Sequence, residues 1–158
     1  MKKIVFVLLA MILVACSSDD PVQQIDSIIG VWQPDSMEIV FADGRTTNES
    51  ISPCESNNRF TFGIDGTFFR TSFPEGDDIN CEELVGDPYQ SGTWERISET
   101  RYLIRLICSI PNCDDIEEEY PEEIIFPDNN TMRVKIVELD DRAPNPIDYL
   151  YLFYKRVE

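Results

Sequence analysis

The residues that could do chemistry in this sequence are five cysteines and 30 acidic side chains, and the chain contains no histidine. The absence of histidine excludes His-assisted serine or cysteine catalysis, His-ligated zinc and a histidine pH switch. The sequence also contains neither a glycine-rich phosphate loop nor a Gly-x-Ser-x-Gly turn. Paired carboxylates work as glycosidase acids only when a fold holds them across a cleft, which nothing in the sequence indicates. We therefore expect no catalysis, no cofactor and no bound metal.

The N-terminus has the layout of a secretory signal. The basic start "MKK" precedes an apolar run of twelve residues, 4–15, which is shorter than the roughly 20 residues that a membrane-spanning helix needs. The sequence "LVAC" at residues 13–16 resembles the lipobox of bacterial lipoproteins, in which the cysteine is acylated and becomes the new N-terminus. The resemblance implies that residues 1–15 are removed. It also implies that Cys16 carries a lipid anchor, which holds the chain on a membrane that it does not span.

The residues that follow the anchor suggest where the protein is sent. The sequence "SSDD" at residues 17–20 resembles the signal by which one large group of Gram-negative bacteria exports lipoproteins to the cell surface. The alternative is a solvated polar linker. We expect a lipid-anchored protein of the bacterial outer membrane, with exposure at the cell surface left open. Residues 16–26 form the tether, and residues 27–158 form one domain.

The charge of the chain restricts its partners. The net charge is -17, and removal of residues 1–15 takes away Lys2 and Lys3 and no acid, which gives -19. A surface this acidic repels phosphate backbones and anionic lipid, so the lipid on Cys16 must provide the membrane attachment. We expect no nucleic-acid partner, and we expect a monomer.

Eight short segments rich in aromatic and β-branched residues predict an all-β domain. Turn residues separate them, and Asp65-Gly66 is the strongest of the hairpin signals. The last segment is apolar on both faces, which indicates a core, ligand or partner on each side. The predicted strands cover residues 31–41, 59–64, 67–73, 89–97, 101–108, 122–126, 131–139 and 147–157.

Short and long connections alternate between these strands, so an up-and-down meander places all the long loops at one end. The four remaining cysteines lie in or beside those loops. An even number in an exported chain indicates two disulfides. We predict Cys54 to Cys81, which joins neighbouring loops, and Cys108 to Cys113, which closes a short loop on itself.

Gly30-Val31-Trp32, at the start of the first strand, resembles the Gly-x-Trp motif of lipocalins. In that family the tryptophan closes one end of an eight-stranded antiparallel up-and-down barrel, and a basic residue late in the barrel packs over it. The resemblance implies the same fold here, with Lys155 or Arg156 as the base and Arg156 as our choice. The early Pro34, and the lack of a helix after the last strand, depart from the secreted animal carriers. The chain is more similar to the small lipocalin-like domains of bacterial lipoproteins.

An eight-stranded barrel has an interior that either holds one small ligand or is filled by side chains. Aromatic side chains at alternating positions are candidates to line a cavity, or equally to form a packed core. Those of the last strand are also candidates for an outer stripe that meets a partner. The candidates are Phe60, Phe62, Phe69, Phe73, Trp94, Tyr102, Tyr149, Tyr151 and Phe153.

The long-loop end also collects acidic residues, and two explanations apply to them. Calcium binds clustered carboxylates and carbonyls, but the sequence has no EF-hand spacing, so we favour a solvated acidic rim without metal. Our leading hypothesis for function is the binding of a small apolar or amphipathic ligand at the cell envelope. The alternative is a packed barrel that recognises a protein or glycan. The acids are Glu82, Glu83, Asp87, Asp114, Asp115, Glu117, Glu118, Glu119, Asp140 and Asp141.

Overall fold

The computed structural model describes residues 25–74, 81–111, 113, 114, 116–120, 123–137 and 146–158. The predicted signal peptide, Cys16 and the tether up to residue 24 lie outside these residues, as do Asp115, Asp140 and Asp141 of the predicted acidic rim. Within the described ranges, no helix is long and apolar enough to cross a membrane.

Strands dominate the domain and form one antiparallel sheet. In the described part of the chain, one 3₁₀ turn, at Glu55–Asn57, precedes the third strand. The strands are β1 Gly30–Phe41, β2 Thr46–Ser50, β3 Arg59–Phe62, β4 Thr67–Thr71, β5 Ser91–Arg96, β6 Tyr102–Ile107, β7 Ile116–Tyr120, β8 Glu123–Asp128, β9 Thr131–Ile136 and β10 Ile147–Arg156.

The strand order confirms the predicted all-β class and the up-and-down succession. It runs β7-β6-β5-β4-β3-β1-β10-β9-β8, with β2 also paired to β1. The first strand is shared between partners, because its residues 30–32 pair with β3 and its residues 36–40 pair with β2. Its opposite edge pairs with β10 along most of its length. The last strand therefore returns beside the first.

The sheet has two strands more than the eight predicted. Both are too polar to show a buried face in the sequence: β2 reads "TTNES" and is fully exposed, and β7 reads "IEEEY". They form by backbone pairing with β1 and β6 respectively. The first strand also continues through Pro34, with a register shift between Pro34 and Ser36 that accommodates the missing amide.

The curl of the sheet brings β8 back toward β6 and β1. The Ile124 amide of β8 donates a hydrogen bond of 2.7 Å to the carbonyl of Thr100, just before β6. The ring of Phe126 lies 5.8 Å from that of Trp32 and 6.4 Å from that of Tyr102. The inward side chains consequently share one core. Its buried members are Ile28, Trp32, Phe62, Phe68, Tyr102, Ile104, Leu106, Ile124, Met132, Val134 and Tyr154.

Candidate functional site

The closed end of the barrel, which we define by residues 25–30 and the β5–β6 and β8–β9 hairpins, is built around Trp32. Its side chain is 0% exposed, and its indole N–H donates a hydrogen bond of 2.7 Å to the carbonyl of Ile28. The guanidinium carbon of Arg156 lies 4.2 Å from the centre of the indole ring. The structure thus places Arg156 over Trp32, as the family resemblance implied. Lys155 instead pairs with Asp35 at 3.3 Å.

Arg156 also ties the last strand to the chain that precedes the first. Its Nε donates to the carbonyl of Asn129 at 2.7 Å, and its Nη2 donates to the carbonyl of Ser27 at 2.7 Å. Its Nη1 donates to the carbonyl of Ile29. One side chain therefore joins the β8–β9 hairpin, the chain before β1 and the buried indole.

Gly30 is needed where Arg156 approaches the backbone. The glycine has φ 139°, a conformation that side-chain-bearing residues rarely adopt. A Cβ at this position would overlap the guanidinium of Arg156 and lie 2.9 Å from the carbonyl oxygen of Glu158. The glycine of the Gly-x-Trp motif thus makes room for the arginine.

A second polar contact at the closed end was not predicted. The hydroxyl of Tyr102 donates a hydrogen bond of 2.8 Å to Asp26, and Arg96 pairs with the other oxygen of that carboxylate at 3.3 Å. Burial raises the pKa of the Tyr102 phenol, and the carboxylate of Asp26 raises that pKa further. Asp26 is 76 residues from Tyr102, so no local sequence pattern could have joined them.

The described part of the barrel interior is packed. It contains a cavity of about 20 Å³, which has room for about one water molecule. Phe60 and Phe62 line this cavity, whereas Trp94 and Tyr102 pack within the aromatic core. The other lining side chains are Ile104, Ile124, Met132, Val134 and Tyr154.

Several aromatic side chains that we had considered for the interior lie elsewhere. Phe69 is 45% exposed, because its neighbour Phe68 takes the inward position of β4. In β10, Tyr154 is buried and Leu152 packs against the core. Alternation therefore places Tyr149, Tyr151 and Phe153 on the outside. Phe69, Tyr149 and Tyr151, three of the candidates for a cavity lining, are not among the residues that line the described cavity. Phe73 is half-buried beyond the end of β4.

The displaced aromatic residues form a continuous stripe on the outside of the sheet. The rings of Tyr149 and Tyr151 lie 5.3 Å apart, and those of Tyr151 and Phe153 lie 6.4 Å apart. Two cations from the adjacent strand cover the stripe: Arg133 lies 4.3 Å above Tyr151, and Lys135 lies 4.3 Å above Tyr149. We call these five side chains the β9–β10 outer face.

Both predicted disulfides are confirmed. Cys54 is bonded to Cys81 and Cys108 to Cys113, with Cα separations of 4.8 and 6.0 Å. The hydroxyl of Tyr89 donates a hydrogen bond to the carbonyl of Asp114, which links the segment before β5 to the loop that follows β6. The alternation of short and long connections was therefore sufficient to choose the pairing.

Near these loops, Asp87 holds a polar cluster that was not predicted. It accepts hydrogen bonds from the hydroxyl of Ser72 at 2.7 Å and the amide of Tyr89 at 2.9 Å, and it pairs with Arg70 at 3.6 Å. Burial raises the pKa of the Asp87 carboxyl. The Ser72 hydroxyl, the Tyr89 amide and Arg70 together outweigh that effect, so the pKa lies below its usual value.

Replacing Asp87 by asparagine is expected to reduce the free energy of unfolding by about 1 kcal/mol at pH 7. A lowered folded-state pKa gives stability that is present above the unfolded-state pKa of about 4 and is lost as pH falls through the folded-state value. The difference between wild type and D87N should therefore shrink below pH 4 in urea unfolding. The exposed Asp148→Asn substitution is the control. A difference that stays constant down to pH 2 would contradict the assignment.

The described part of the chain contains no group of three or more acidic or cysteine side chains arranged to hold a metal ion. Glu82, Glu83 and Asp114 are exposed to solvent at the disulfide end. Asp87 is half-buried in the polar cluster described above, and the other predicted members of the rim lie outside the described side chains.

Comparison with known proteins agrees with this architecture. The lipocalin-like domain family matches residues 28–141, which is well over half of the 158-residue chain. The matched segment includes Gly30 and Trp32, and β10, which carries Arg156, follows it. No curated protein matches the sequence. From the extent of the family match, this chain belongs to the lipocalin-like domain family.

Proposed function

We propose that this protein is a non-catalytic interaction module of the bacterial cell envelope, attached to the outer membrane through lipidated Cys16. The observation that supports an interaction module over a carrier is the size of the interior cavity, about 20 Å³. Sites for small organic ligands typically measure about 300–1,000 Å³. A barrel filled by its own side chains offers its outer surface for recognition.

The position of the tether favours display of the domain away from the membrane. Residue 25 lies at the closed end, where Ile25 and Asp26 lie near Arg156 and Asn129. The nine residues 17–25 span at most about 30 Å when extended. The tether therefore joins the domain at its closed end, which leaves the end that carries the disulfides and the sides of the barrel accessible to partners.

A carrier of a small apolar molecule is the second candidate. The cavity between β3, β6, β8, β9 and β10 is lined by hydrophobic side chains. Among the described residues, one backbone hydrogen bond joins β8 to the chain before β6. It runs from the Ile124 amide to the Thr100 carbonyl. Separation of β8 from β6 would widen the cavity toward ligand size.

Native mass spectrometry of the mature domain separates the two candidates. We expect a C16S protein purified from its own host to show the mass of the bare chain less four hydrogens, because the packed interior leaves no space for a ligand. A small molecule retained in the native spectrum and released on denaturation would overturn the interaction module in favour of a carrier.

A cavity-forming variant supplies the positive control. Phe60→Ala removes a ring from the cavity wall and should allow a small aromatic probe such as benzene to bind, as dry engineered cavities do. Phe69→Ala removes an exposed ring of the same size and should bind none. Binding of the probe to wild type as strongly as to F60A would count against a packed barrel.

A further inference from the structure

We propose that the β9–β10 outer face binds a linear acidic polysaccharide, with sugar carboxylates on Arg133 and Lys135 and sugar C–H groups against the edges of the aromatic rings that these cations leave uncovered. This inference deepens the proposed function and rests on it, since it names the surface and the partner class of the interaction module. It uses none of the interior cavity.

The first argument is that neither cation of this face has a carboxylate partner among the residues that the structure describes. Ion pairs between described residues involve five other cations: Arg45, Arg70, Arg96, Arg105 and Lys155. Glu123 lies opposite Lys135 in the sheet, and Glu38 lies opposite Tyr151. Neither carboxylate forms an ion pair with Arg133 or Lys135 in the described structure. The chain has 30 acids and 13 bases. Because the nearby carboxylates do not pair with Arg133 and Lys135, these two positive charges are available to an external anion.

The second argument comes from the guanidinium of Arg133. Its guanidinium carbon lies 4.3 Å from the centre of the Tyr151 ring, and this contact restricts the positions that the guanidinium can take. A guanidinium that is already oriented loses little entropy when it donates two parallel hydrogen bonds to a carboxylate.

The third argument is the charge of the rest of the protein. The net charge of -17 repels an anionic chain from most of the surface. An anionic chain is therefore expected to bind at the two cations of the β9–β10 outer face. Charge complementarity between the chain and these cations gives specificity.

The shape of the face favours a polysaccharide over an acidic peptide. The backbone groups of β9 and β10 are engaged in ladders with each other and with β1, so the face offers no free strand edge for a peptide main chain. A pyranose ring, in contrast, presents C–H bonds on its faces and hydroxyl groups at its rim. Aromatic side chains with polar edges suit such a ring. Three rings in line, at spacings of 5.3 and 6.4 Å, suit a linear chain.

The experiment is affinity electrophoresis of the mature C16S protein in gels that contain galacturonan, alginate or polyglucuronate, three linear polyuronates. We expect at least one to retard the protein, and we expect the retardation to fall with added NaCl because the contacts are ionic. R133Q and K135Q should each weaken the apparent affinity about tenfold. Y151L should also weaken it, since it removes the ring on which Arg133 stacks.

Matched controls separate this site from general charge effects. Arg45→Gln removes another arginine that stacks on an aromatic ring, Phe41, and that pairs with Asp43; it should leave the affinity unchanged. Arg133→Lys keeps the charge and should retain more affinity than R133Q. Thermal unfolding confirms that each variant is folded.

Three outcomes would overturn the proposal. They are no retardation by any of the three polyuronates, retardation that R133Q and K135Q leave unchanged, and equally tight binding of an oligoglutamate of the same charge. The last result would assign the face to acidic peptides. None of these outcomes tests whether the barrel interior is packed. Native mass spectrometry tests that separately, by measuring whether a small molecule is retained.

Discussion

Replacing Trp32 by alanine is expected to lower the free energy of unfolding by about 3–5 kcal/mol, the usual loss for a fully buried tryptophan. The side chain is 0% exposed and contacts the ring of Phe126, so its removal leaves a cavity between β1 and β8. It also removes the ring beneath Arg156 and the donor to the carbonyl of Ile28. Urea unfolding of the oxidised protein, followed by circular dichroism, measures the loss.

Two variants test whether the loss has this cause. Trp32→Phe keeps an aromatic ring but loses the N–H bond to Ile28, so its stability should fall between those of wild type and W32A. Val85→Ala shortens a side chain that is 92% exposed and should change stability by less than about 0.5 kcal/mol. A loss below about 1.5 kcal/mol in W32A would show that the closed end can collapse around the missing ring.

Removing the Cys54–Cys81 disulfide is the second large effect. The bond closes a loop with a sequence separation of 27, so the double alanine variant should lose about 3–4 kcal/mol by the loop-entropy relation. Cys54 is also fully buried, and its truncation removes packing at the start of the 3₁₀ turn. Urea unfolding of C54A/C81A and wild type under identical oxidising conditions measures the difference.

The Cys108–Cys113 disulfide is the internal comparison. Its sequence separation is 5, and the same relation gives about 2 kcal/mol for the double alanine variant. C54A/C81A should therefore be less stable than C108A/C113A. Equal losses, or no loss in either, would show that residual structure in the unfolded chain already restrains these loops.

The sequence by itself determined the class of fold, the order of the strands and both disulfides. Alternating apolar residues, as in "RFTF" and "TMRV", identify strands with one buried face, because side chains alternate across a strand. The alternation of short and long connections places the cysteine loops at one end and selects the pairing of Cys54 with Cys81. The Gly30-Val31-Trp32 motif similarly indicated the family, because its residues are adjacent in the sequence.

Two strands and two polar contacts needed the tertiary structure. β2 and β7 exist because their backbones pair with β1 and β6, and backbone pairing leaves no pattern in side chains as polar as theirs. The hydrogen bond from Tyr102 to Asp26 and the ion pair of Arg70 with Asp87 join residues far apart in sequence. Such pairs cannot be selected from 30 acidic residues without coordinates.

Tertiary packing also decided which aromatic residues are available for recognition. β10 carries large apolar or aromatic side chains on both faces, so alternation alone cannot say whether Tyr151 or Leu152 points inward. The position of Arg156 over Trp32 fixes the register, and Leu152 and Tyr154 consequently face the core while Tyr149 and Tyr151 face outward. The volume of the interior depends in the same way on how all inward side chains interlock, which is a property of the assembled barrel.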